Sequence, residues 1–137
     1  MDSVLKRVLR LRSRALDSRQ RELGEARELR ERSHAAVTET TDAMARARAS
    51  EAESCSELLE QQLYCLRSEM VRRGQEVTLA RADGFVEKAT TSVQSAARAK
   101  GSIERIWEAR VERDAADEAR RDERDLSDLA MSKWRSK

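Results

Sequence analysis

The chain has 137 residues, no proline, four glycines and a formal net charge of +2. Ala, Glu, Lys, Leu and Arg supply 78 of them, about 57%, a composition of long helices and coiled coils rather than of globules. Leu, Ile, Val and Phe total only 24, too few for a conventional core, while the missing proline and small net charge argue against a disordered chain.

The periodicity predicts a first helix over about 2–71. Asp2 or Ser3 can cap it by accepting a hydrogen bond from an orphan N–H. Leu9, Leu16, Leu23, Val37, Met44 and Leu58 share one seven-residue register, interrupted by Arg30 and Glu51. That is an imperfect coiled-coil stripe. Acid-before-base pairs four apart (Asp17/Arg21, Glu28/Arg32, Glu69/Arg73) each add about 0.2–0.5 kcal/mol.

A break is expected at about 72–79. Gly74 can supply a left-handed cap, Arg72 and Arg73 suit the last turn of a helix, and Thr78 can cap the next one. A second helix follows over about 79–133, with its stripe in Phe85, Val86, Ala89, Val93, Ala96, Ala97, Ile103, Ile106 and Val111. Small residues dominate Ala43–Ala52 and Ala89–Gly101, and folding back near residue 76 would lay these stretches side by side. The fold class is therefore all-α, an antiparallel two-helix coiled-coil hairpin, one elongated domain over 1–137. At ~1.5 Å per residue the first helix would measure ~105 Å and the second ~80 Å, leaving the N-terminal side to overhang.

Charge is unevenly spread. Residues 1–21 carry seven basic and two acidic side chains, residues 103–128 six basic and ten acidic. Lys133, Arg135 and Lys137 close the chain. In a hairpin these segments meet at one end, as a basic tip above an acidic collar.

The sequence offers no catalytic, cofactor-binding or metal residues. His34 is the only histidine and has no second metal ligand at helical spacing. Carboxylates are abundant, but raising their pKa needs burial that a two-helix rod rarely provides. Cys55 and Cys65 lie ten residues apart, ~15 Å on one helix, too far to bridge. No apolar run reaches the ~20 residues of a membrane span. The expectation is a non-enzymatic, cytoplasmic protein that works by contact.

Two surfaces stand out. Trp134 sits in a basic stretch with no core nearby, an anchor type favoured at interfaces. Tyr64 and Phe85 flank the expected bend on opposite helices and could form a patch there.

The layout resembles the FliJ/YscO family, the central stalk proteins of flagellar and injectisome type III secretion systems. The resemblance rests on the basic start Met1-Asp2-Ser3-Val4-Leu5-Lys6-Arg7-Val8-Leu9-Arg10-Leu11-Arg12 and the long helix, break and second helix. It rests above all on Trp107-Glu108-Ala109-Arg110-Val111-Glu112-Arg113, then Arg120-Arg121-Asp122-Glu123-Arg124-Asp125-Leu126-Ser127-Asp128-Leu129-Ala130. It implies a stalk whose paired ends dock in the pore of a hexameric secretion ATPase and whose bend faces the export gate protein, at the inner membrane. Export chaperones would be further partners; nucleic acid and stable membrane insertion would not. The ATPase-binding tip would be Lys6, Arg7, Arg10, Arg124, Lys133 and Trp134, and the bend patch Tyr64 and Phe85. Alone, such a hairpin is expected to be a monomer. The alternatives are a generic coiled-coil scaffold or export chaperone that dimerises through the first helix, and a basic helix that binds nucleic acid or an anionic membrane surface.

Overall fold

The computed structural model describes residues 2–136, the side chain of Asp2 excepted. The Asp2 cap therefore lies outside the described side chains. The chain forms two long helices that pack against each other, with no strand among the described residues: α1 (Asp2–Ala49) and α2 (Cys55–Arg135). The chain divides into two compact units, Met1–Ala15 with Ala96–Lys137, and Leu16–Ser95.

The helices part at residues 50–54, not at 72–79. Ser54 and Glu57 form the S-x-x-E arrangement that starts a helix. The Glu57 N–H donates to Ser54 Oγ at 3.2 Å, and Glu57 Oε2 accepts the Glu53 N–H at 2.8 Å. At the other side of the turn, Gln61 reaches back from α2. Its amide nitrogen donates to the Ala47 carbonyl and, at 3.2 Å, to the Ser50 carbonyl, two of the orphan acceptors that end α1. Gly74 instead lies inside α2, with no positive φ. Thr78 caps nothing: its hydroxyl donates to the Gly74 carbonyl one turn back, at 3.2 Å.

In the unit Leu16–Ser95, the shielded positions of α2 include 61, 65, 68, 72, 75, 79, 82, 86, 89 and 93, a series spaced alternately four and three apart, with Glu69, Gly84, Thr90 and Ser92 half-buried beside it. Shielded positions of α1 there include Leu23, Ala26, Ser33, Val37, Thr40, Met44 and Ala47. Only Leu23, Ser33, Met44 and Ala82 are buried. The buried Ser33 hydroxyl is satisfied by the Leu29 carbonyl at 2.8 Å. Arg30, which interrupts the leucine register, reaches Asp83 on α2 at 2.8 Å. Thr40 donates to the Gln75 side-chain oxygen at 2.7 Å. With Gln61 at Ala47, the small residues of α1 lie against the first turns of α2. They do not lie against Ala89–Gly101 as a bend near 76 would require.

In the unit Met1–Ala15 with Ala96–Lys137, the shielded positions among the described residues include Leu5, Val8, Leu9 and Ser13 on α1 and Ala96, Ala99, Lys100, Gly101, Ile103, Trp107 and Arg110 on α2. The Lys6 ammonium sits 5.7 Å from the centre of the half-buried Trp107 ring, a cation–π pair. From 111 to 136 every residue is exposed except the half-buried Asp117. The N-terminal overhang expected from a late bend is therefore reversed within this unit: it is α2 that runs past its neighbour.

Candidate interaction surfaces

The turn is the first candidate surface, and its walls follow from the local folding just described. Residues 50–54 leave α1 and re-enter α2, and the first face of α2 stands beside them. Between them lies an open groove of about 980 Å³ whose lining includes Arg48, Ala52, Cys55, Leu58, Cys65 and Leu66. Both cysteines are free thiols, Cys55 exposed and Cys65 half-buried.

Farther along α2 the groove gives way to an ionic cluster. Arg72 donates to both oxygens of Glu69, at 2.6 and 3.0 Å, and to Glu76 at 3.1 Å. Arg73 adds a 3.5 Å contact to Glu69, the one expected from acid-before-base spacing. The hydrogen bond from Arg72 is the chief cause that holds the Glu69 carboxyl below its ordinary range, against a smaller opposing effect of desolvation. The same bond raises Arg72.

Tyr64 and Phe85 do not form a bend patch. Both lie on α2, 21 residues or ~32 Å apart along the helix, and both are about half exposed. The expectation failed because the turn lies before both of them. What sequence reasoning missed near the turn is the cluster of exposed apolar side chains on α2 between Leu58 and Val71. The signal was present as Leu59, Leu63, Leu66 and Met70, but it reads as a continuation of the first helix unless Ser54 and Glu57 are recognised as a start.

The second candidate surface belongs to the unit Met1–Ala15 with Ala96–Lys137. Lys6 meets Trp107, while Arg7 and Arg10 face solvent. Arg124, Lys133 and Trp134 lie 17, 26 and 27 residues past Trp107, about 26–40 Å along α2. The six expected tip residues therefore form two groups. The second group stands on bare helix: Trp134 is 77% exposed, with Leu126, Leu129 and Met131 also exposed beside it. Leu126, Leu129 and Ala130, with Trp134 one turn on, share a face at helical spacing.

His34 is exposed. Among the described residues no group of three or more His, Cys, Asp or Glu could hold a metal ion. Among the described residues no helix is long and apolar enough to cross a membrane. No family model, curated protein or solved structure matches the chain.

Proposed function

We propose that this chain is the non-enzymatic central stalk of a type III secretion ATPase complex, built as an antiparallel two-helix coiled-coil hairpin. The architecture draws support from the alternating four-and-three spacing of shielded positions. It draws further support from the pairs Gln61–Ala47, Gln75–Thr40 and Asp83–Arg30, which climb α2 as they descend α1.

The observation that carries the functional reading is the bare stretch 111–136. A helix that exposes Leu126, Leu129 and Trp134 among alternating charges has a face without a partner in its own unit. Charged groups around such a face give a ring of subunits orientation and specificity without the extensive apolar interface of an obligate complex. The resemblance to the FliJ/YscO family supplies the ring: a secretion ATPase hexamer in the cytoplasm at the inner membrane. On this reading the docking tip centres on Arg124, Lys133 and Trp134. Lys6, Arg7 and Arg10 form a separate basic face, and the turn is the end offered to the export gate and to export chaperones.

The test is a titration of the full chain into the secretion ATPase of the same organism, reading both binding and ATP hydrolysis. Saturable binding with a raised hydrolysis rate is expected, weakened about tenfold or more by Trp134→Ala, as for an interface anchor. Absence of both binding and stimulation rejects the reading.

A further inference from the structure

We infer that α2 carries a second coiled-coil seam, on the face away from α1, and that its occupant is a second copy of this chain. Leu59, Leu63, Leu66 and Met70 are spaced four, three and four apart, the alternation that keeps knobs on one helical face. Each precedes a shielded seam position (61, 65, 68 and 72) by two residues, which is ~200° around the helix. The stripe therefore points away from the seam toward α1, with Leu66 at its edge also lining the turn groove. Its members are 59%, 42%, 62% and 69% exposed. Meanwhile the seam toward α1 holds Gln61, Cys65, Ser68 and Arg72 over the same turns. The apolar residues of this stretch thus stand on the solvent side and the polar ones on the packed side, the reverse of what a helix with one partner requires.

The choice of a second copy rests on self-complementarity. Placed antiparallel, the stripe matches itself: Leu59 opposes the partner's Met70, and Leu63 opposes the partner's Leu66. By two-fold symmetry each layer occurs twice, which is the isologous contact of a closed dimer. The residues flanking this stripe include Glu60 and Arg67, both exposed. In the same register Glu60 opposes the partner's Arg67, again twice, so the charges agree with the apolar layers. A parallel pairing would place Glu60 and Arg67 out of reach of each other's copies and gain no such pair. Ser56 and Arg73 end the stripe on either side. A contact of four layers falls at the small end of specific interfaces, so the dimer dissociates on dilution. This proposal replaces the monomer expected from the sequence and does not depend on the secretion reading.

The experiment is sedimentation of the full chain over a wide concentration series. The weight-average mass should rise from 15.6 kDa toward twice that value. Leu63→Glu/Leu66→Glu should stay at the monomer mass with unchanged helix content, since both side chains are exposed in the single chain. Glu60→Arg or Arg67→Glu alone should weaken the dimer roughly tenfold by setting like charges opposite twice, and the double exchange should restore it. Orientation is read by oxidation in a background with Cys55 and Cys65 changed to Ser. A mixture of Leu59→Cys and Met70→Cys chains should form the mixed disulfide. Met70→Cys alone should not, because its two copies would lie ~16 Å apart. A mass that stays at one chain overturns the proposal, as does dimerisation untouched by Leu63→Glu/Leu66→Glu. Failure of the charge exchange to rescue, or a Met70→Cys self-disulfide, overturns the antiparallel pairing.

Discussion

Gly74→Ala should make this protein more stable. Gly74 lies well inside α2, its φ is not positive, and a Cβ built on it meets nothing within 4 Å. The substitution therefore has no steric cost, and the contact from the Thr78 hydroxyl is to the Gly74 carbonyl, which alanine keeps. What remains is the difference in helix propensity, about 0.5–1 kcal/mol in favour of alanine. For a chain of this size that is an increase of ~2–5 °C in the unfolding midpoint. Thermal and urea unfolding followed by far-ultraviolet circular dichroism reads the change. The opposite sign refutes the reasoning. A loss of ~1 kcal/mol or more would mean that Gly74 occupies a left-handed cap, as the sequence alone suggests, and that the helices part near 74 rather than at 50–54.

Ser54→Ala should destabilise by about 1 kcal/mol in the same unfolding assay, because it removes the side-chain acceptor for the Glu57 N–H that opens α2. A double-mutant cycle on Arg30 and Asp83 should give a coupling of only ~0.2–1 kcal/mol, falling with added salt, since both side chains are about half exposed across their 2.8 Å contact. The hydrogen bond from Arg72 holds the Glu69 carboxyl below its ordinary range, so the stabilising contact is fully present at neutral pH and is lost as pH falls through the lowered value. Denaturation midpoints of Glu69→Gln at neutral and acid pH should therefore lie closer together than those of the parent chain.

The helical character and the leucine register were legible because they depend on residue type and spacing alone. Leu23 and Met44 of that register are buried, and Arg30, which seemed to break it, finds Asp83. The turn was not legible by the same means. Residues 50–54 contain neither glycine nor proline, so nothing in the local propensity interrupts the helix as strongly as Gly74 appears to. The turn is made by side chains instead. Ser54 and Glu57 open α2, and Gln61 closes α1 from the next helix. The last of these joins different helices and has no sequence signature. Placing the turn twenty-odd residues late displaced everything measured from it. A turn at 50–54 puts Tyr64 and Phe85 on the same helix and Leu58 outside α1. Among the candidate sites, Trp134 stands exposed as expected, because a Trp in a basic stretch with no core nearby has nothing to bury it.

An early turn makes α1 the shorter helix and places Leu59, Leu63, Leu66 and Met70 on α2, away from its seam toward α1. The proposed second seam depends on it. The direct measurement is a spin-label distance between positions 34 and 81, both exposed, in a background with Cys55 and Cys65 changed to Ser. A turn at 50–54 sets these positions side by side on packed helices, between the Arg30–Asp83 and Thr40–Gln75 contacts, giving a distance of roughly 20 Å or less. A turn near 76 would separate them along the helix axis by about 55 Å, and a distribution centred there would contradict the structure described here.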